Sequence, residues 1–145
     1  MLTTLVFLNR YAYAPELNDT LHLTGRGIQE LKCLEPYVNV LSIHLTANAI
    51  RSLNGLQSLR KLRSLHISNN ALTSLKGIEK LKELRFLDVS NNNSRLECIE
   101  GCYDLLSDLQ TLNYFNSLLS LPLRSLERHR FQSNHPSPQP WSFPG

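Results

Sequence analysis

Leu62-Arg-Ser-Leu65-His-Ile67-Ser-Asn-Asn70-Ala-Leu72-Thr-Ser-Leu75 is the middle copy of a sentence this chain repeats. The preceding copy reads Val40-x-x-Ile43-x-Leu45-x-x-Asn48-x-Ile50-x-x-Leu53, and the following one Leu84-x-x-Leu87-x-Val89-x-x-Asn92. Asn48, Asn70 and Asn92 therefore fall 22 residues apart. A fixed period of this length marks a solenoid, in which one short unit stacks on the next and buries a shared core. Such stacks spread side chains over an extended surface, which points to holding a partner rather than to chemistry.

The register extends in both directions. Leu21-x-Leu23-x-x-Arg26-x-Ile28-x-x-Leu31 keeps the spacing with Arg26 at the asparagine position. After Asn92 the pattern slips: Leu96 and Ile99 come two residues late, and a further residue is inserted near Leu106. Leu109-x-x-Leu112-x-Tyr114-x-x-Ser117 then resumes the motif. This makes about five units.

Within a unit the alternation in Ile43-His44-Leu45, Leu65-His66-Ile67 and Leu87-Asp88-Val89 is that of a strand. Strands of successive units must lie parallel, because each connection returns around the far side. The recurring asparagine is suited to bonding backbone groups where the chain leaves the strand, which predicts a ladder of Asn48, Asn70 and Asn92. Arg26 and Ser117 are expected to weaken or end it. Leu53, Leu56, Leu59 and Leu62, then Leu75, Ile78, Leu81 and Leu84, recur every third residue. That spacing suits short 3₁₀ turns, and Gly55, Gly77 and Gly101 before them predict a close backbone approach. The fold class is α/β: a solenoid with a curved parallel sheet on its concave face and short 3₁₀ or helical turns on its convex face.

Four segments follow: an N-terminal cap at 1–17, the repeats at 18–119, a terminal helix at 120–132 opened by Pro122, and a disordered tail at 133–145 rich in Pro and Ser. The start, Met1-Leu-Thr-Thr-Leu-Val-Phe-Leu8 with Ala12-Tyr13-Ala14 beyond it, has the outline of a secretion signal. No basic residue precedes the apolar run, however, and Asn9-Arg10 break it, so the cap reading is kept. No stretch approaches the ~20 apolar residues of a membrane-spanning helix. A hydrophobic share of 41% with 19% charged residues suits a folded domain, and a net charge of +3 is too small to argue for nucleic acid by itself.

The two clean copies, Ser52 to Asn70 and Ser74 to Asn92, resemble the 22-residue subclass of leucine-rich repeats. That subclass occurs in a regulator of protein phosphatase type 1, an axonemal dynein light chain and a spliceosomal protein. The resemblance covers roughly residues 18–119. It implies a non-catalytic scaffold or regulatory subunit with a protein partner, such as a phosphatase, dynein, tubulin or another cytoskeletal component. It also implies a cytoplasmic location, with ciliary, cytoskeletal or nuclear sites as variants. The family's Tyr-Arg C-terminal cap is absent.

Stacking sorts the outward residues into columns. The central one reads His22, His44, His66, Asp88, Asn113; its neighbours read Thr20, Ser42, Ser64, Phe86, Thr111 and Thr24, Thr46, Ser68, Ser90, Phe115. Exposed aromatics are the usual anchors of an interface, so His44, His66, Phe86, Asp88 and Phe115 are the expected partner contacts. The histidines admit three readings: a solvated or partner-facing ladder, a pH-sensitive interface, and a metal site. A flat ladder does not converge three ligands tetrahedrally, and no metal or cofactor is expected. Cys33 and Cys102 read as core positions, and Cys98-x-x-x-Cys102 lacks a second ligand pair. Three cysteines make no disulfide framework, which favours a reducing compartment. Arg60-Lys61-x-Arg63 and Lys80-x-Lys82-x-x-Arg85, with Lys76, gather along one edge, set among Glu79 and Glu83. This edge is either ordinary solvated surface or a seat for an acidic partner, RNA or phosphate. Two alternatives to a protein scaffold follow: a ribonucleoprotein component, and a secreted binding module. No nucleophile–base pair or phosphate loop suggests an enzyme.

Overall fold

The computed structural model describes residues 13–93, 95–97 and 100–119. The expected terminal helix and tail lie outside the described residues, as do Cys98 and most of the expected N-terminal cap. Of that cap, Pro15–Leu17 forms a single 3₁₀ turn that buries no side chain, and Tyr13 and Leu17 are exposed.

Seven short strands are described: β1 (Thr20–His22), β2 (Ser42–His44), β3 (Ser64–His66), β4 (Phe86–Asp88), β5 (Arg95–Leu96), β6 (Thr111–Asn113) and β7 (Leu118–Leu119). One α-helix, α1, runs over Glu100–Asp108. The main sheet is parallel with order β1-β2-β3-β4-β6. Leu21, Ile43, Leu65, Leu87 and Leu112 align across it. These central residues are buried while their neighbours face outward, as the alternation requires. Leu23, Leu45, Ile67 and Val89 follow into the same core. Truncating one of these leucines to alanine leaves a cavity costing about 2–5 kcal/mol.

Opposite the sheet, 3₁₀ turns occupy Leu56–Ser58 and Ile78–Lys80. Both begin at a glycine with positive φ: 107° at Gly55 and 102° at Gly77. Of Gly55 and Gly77, the expected close approach holds at Gly55, where an added Cβ would sit 2.1 Å from the Leu31 carbonyl oxygen, and not at Gly77, where it would meet nothing within 4 Å. One unit earlier the same place is held by Cys33, with φ 60° and an exposed thiol. This corrects the reading of Cys33 as a core residue. It stands in the glycine column, and Leu34 beside it supplies the buried side chain. Cys102 does lie in the core, its thiol 3.5 Å from the Leu75 carbonyl oxygen.

The asparagine ladder is formed. Asn48 Oδ1 accepts the Arg26 and Ile28 N–H groups at 2.9 and 3.0 Å, and its Nδ2 donates to the Leu23 and Leu45 carbonyls at 2.8 Å each. Asn70 accepts from Ile50 at 3.0 Å, and Asn92 from Leu72 at 3.1 Å. Their Nδ2 groups donate to Leu45 at 2.8 Å and to Ile67 at 2.9 Å. Of the two expected outcomes at Ser117, the ladder is weakened there and not ended. Its hydroxyl accepts the Asn92 N–H and donates to the Val89 carbonyl, both at 2.9 Å. The slip after Asn92 is absorbed on the far side, where β5 pairs with β7 and α1 replaces the 3₁₀ turn. The main sheet is undisturbed: Phe86 pairs with Thr111.

Candidate functional site

Each outward column of the sheet is assembled by backbone pairing alone. Ser42 pairs with Ser64 and Ser64 with Phe86; His22 pairs with His44, His44 with His66, and His66 with Asp88. Neighbouring parallel strands lie about 4.8 Å apart, close to the thickness at which aromatic rings stack. The histidines use this spacing. The rings of His22 and His44 are stacked with centroids 4.8 Å apart and planes 16° from parallel; for His44 and His66 the values are 4.3 Å and 9°.

The stack does not continue onto Asp88, the next residue in its column. It steps sideways to Phe86, whose ring lies 4.5 Å from that of His66 at a tilt of 34°. Ser64, opposite Phe86, is small and puts no bulk in the way of the phenyl ring; diagonal neighbours in a sheet are within reach of aromatic side chains. Asp88 instead turns to its own turn, accepting the Ser90 N–H at 3.0 Å and the Ser90 hydroxyl at 2.6 Å. Four rings thus form one continuous strip from His22 to Phe86.

Ring contact also governs charge. Burial lowers the His44 pKa below its ordinary value, and the neighbouring His66 and His22 push it the same way. For His66 burial again lowers the pKa, opposed by the Asp88 carboxylate. Both imidazoles are therefore held neutral more firmly than a free histidine. His44 Nε2 lies 3.4 Å from the Ser42 hydroxyl, the donor depending on the tautomer. Stacked planes keep the ring nitrogens side by side rather than aimed at one point. Among the described residues no group of three or more His, Cys, Asp or Glu is placed to hold a metal ion.

The structure brings His44, His66 and Phe86 together, with His22, and sets Asp88 and Phe115 apart from the strip. Phe115 follows β6 at the opposite end of the strands, exposed, its carbonyl accepting the Asn91 N–H at 2.7 Å. The hydroxyls in its column are less available than the sequence suggests. Ser68 and Ser90 are buried, and Thr46 bonds to Ser68 at 3.3 Å. Straight columns concealed the sidestep from His66 to Phe86; the one signal for it was the small Ser64 beside a large Phe86.

Residues 60–101 match the family model for Leucine Rich repeats (2 copies). Solved structures of the same architecture extend the likeness over most of the chain. An internalin, inlF, from Listeria monocytogenes is 26% identical with a TM-score of 0.68, over 79% of this chain and 33% of its own. The fold is a leucine-rich repeat solenoid.

Internalin C2 of the same organism is 22% identical with a TM-score of 0.56, over 70% of this chain and 47% of its own. InlJ of Listeria monocytogenes is 19% identical with a TM-score of 0.62, over 79% of this chain and 24% of its own. The chain therefore spans between about a quarter and a half of the length of these similar structures. No curated protein matches it. Leucine-rich repeat solenoids are in general protein-binding, non-catalytic modules, their strand face serving as an extended contact surface. No helix among the described residues is long and apolar enough to cross a membrane.

Proposed function

We propose that this chain is a non-catalytic scaffold that holds a partner protein on its strand face, with His44, His66, Phe86, Asp88 and Phe115 at the contact. The observation that carries the reading is the ring strip from His22 to Phe86. It presents a flat, pre-ordered aromatic edge across four strands, and rigid aromatic groups form contacts at little entropic cost. Phe115, 45% exposed, supplies a second apolar anchor on the far side of the same face. Asp88 is oriented by Ser90 and adds a fixed acceptor between them.

The ribonucleoprotein alternative is not favoured. Bases stack on open ring faces, and both faces of His44 and His66 are covered by neighbouring rings. A reducing, cytoplasmic setting fits the exposed Cys33 thiol.

The test is affinity capture from the source cell with H66A/F86A beside the wild type. The variant is expected to lose the captured partner while its circular dichroism spectrum is unchanged. A partner retained by the folded variant would sink the strand-face reading.

A further inference from the structure

The ends of the strands where the chain enters the sheet carry a like-charged lip. Arg63 and Arg85 stand on neighbouring rungs, since the Arg85 and Phe86 N–H groups both bond the Arg63 carbonyl at 2.9 Å. The repeat sets Arg60 beside Lys82 in the same way. Nothing anionic flanks the arginine pair along its own column: the adjoining rungs hold Leu41 and Gln110. The carboxylates at this level stand off the pair: Asp19 lies two rungs from Arg63, beyond Leu41, and Glu83 and Asp108 lie in the column shared with Lys61. Among the described residues the sole ion pair joins Lys32 to Glu30, elsewhere in the fold. Arg85 spends one guanidinium nitrogen on the Leu84 carbonyl at 3.0 Å, and Lys61 bonds Asn39 at 2.7 Å. Both are neutral partners.

Like charges set directly opposite on adjacent strands destabilise a sheet. Packing does not demand these arginines, because Leu41 and Gln110 fill the equivalent places without charge. The lip is also continuous with the aromatic strip, Arg85 being followed directly by Phe86. We propose that this lip seats an acidic segment of the partner protein. Carboxylates of that segment lie on Arg63 and Arg85, and an apolar side chain beyond them lies on Phe86. The proposal rests on the strand face being the binding face, and adds the chemistry of what it binds. Arginine suits the role because its planar fork grips a carboxylate through two parallel hydrogen bonds. Bringing an anion to the lip also relieves the repulsion within it. A nucleic acid fits less well: the cations span only two units, and both faces of His44 and His66 are covered by neighbouring rings, which leaves no run of open faces for successive bases.

The experiment measures fluorescence anisotropy of three labelled probes with the full chain. They are a short Glu-rich peptide with one central Phe, the same peptide with Gln for Glu, and a single-stranded oligoribonucleotide. The acidic peptide is expected to bind, to weaken as salt rises, and to outbind both other probes. R63Q/R85Q is expected to lower its affinity about tenfold or more. Both replacements are exposed or half-exposed and relieve repulsion, so the variant folds, and circular dichroism verifies this. Equal binding of the Gln peptide, tighter binding of the oligoribonucleotide, or R63Q/R85Q binding like the wild type would each overturn the proposal. A captured partner that needs His66 and Phe86 but survives R63Q/R85Q would remove the acidic segment and leave the strand-face reading standing.

Discussion

Ser117 holds the Asn92 backbone: its hydroxyl accepts the Asn92 N–H at 2.9 Å and passes its own proton to the Val89 carbonyl, also at 2.9 Å. A hydroxyl has one donor and spare acceptor capacity, so it reproduces two of the bonds that Asn48 makes three rungs away, to the Arg26 N–H and the Leu23 carbonyl. Ser117 is buried. Ser117→Ala leaves an N–H and a carbonyl without these bonds, and the expected loss is about 1–3 kcal/mol. Urea denaturation monitored by circular dichroism measures it. A loss within error of zero would mean that the ladder ends at Asn92.

Within the repeats, Ala47 and Cys33 hold left-handed backbone positions that asparagine or glycine fills in other units. The turn after each main strand has a positive φ, held by Asn69, Asn91 and Asn116 in the later units but by Ala47, at 58°, after β2. Cys33, at 60°, does the same in the column of Gly55 and Gly77. Asparagine tolerates this conformation, whereas a plain Cβ costs about 1–2 kcal/mol. Ala47→Gly and Cys33→Gly are each expected to stabilise the protein, by about 0.5–1 kcal/mol after the added flexibility of the unfolded chain is subtracted. A lower melting temperature in both variants would contradict the backbone argument.

The converse substitutions separate strain from collision. Gly55→Ala and Gly77→Ala both force a Cβ onto a positive φ, at a cost of about 1–3 kcal/mol. At Gly55 the new atom also meets the Leu31 carbonyl oxygen at 2.1 Å, while at Gly77 it meets nothing. Gly55→Ala is therefore expected to lose about 1–3 kcal/mol more than Gly77→Ala, the usual scale of an overpacked site. Paired denaturation midpoints decide it, and equal losses would show that the chain around Leu31 yields.

Most of the sheet was legible because one interval governs it. The pairing of Leu21, Ile43, Leu65, Leu87 and Leu112 follows from the 22-residue repeat, including the three extra residues between Leu87 and Leu112. A parallel ladder has no freedom to slip without turning its buried face outward. Cys33 was misplaced for a related reason: the pattern registers apolar residues, and cysteine counts as one, while the left-handed backbone that Gly55 reveals has no apolar signature. The histidine column was visible, but its junction with Phe86 was not. Periodicity assigns a side chain to a column, and ring packing then decides which way it leans.

Acid should weaken the fold through the stack. Burial holds the His44 and His66 pKa values below the ordinary 6.5 of the unfolded chain. The unfolded state therefore takes up protons first as pH falls. The neutral stack is fully stabilising above about pH 6.5, and its contribution is lost as pH drops through the lowered folded values. The melting temperature of the wild type is expected to fall more steeply from neutral pH to mild acid than that of H44Q/H66Q. Parallel curves would mean that the two imidazoles titrate as they do in the unfolded chain.

Phe86→Ala tests whether the phenyl ring is part of the site or merely beside it. Its ring lies 4.5 Å from that of His66, and burial is the main cause of the lowered His66 pKa. Removing the ring admits water to one face of the imidazole, which favours the charged form. Asp88, which already favours that form, is left in place. Both effects then act in the same direction, so the His66 pKa should rise towards its ordinary value. His44 is separated from Phe86 by the His66 ring, and its titration should move much less. An NMR titration of the imidazole protons reads both residues at once. If His66 titrates alike in the two proteins, its burial comes from His44 alone, and Phe86 contributes apolar surface without joining the strip.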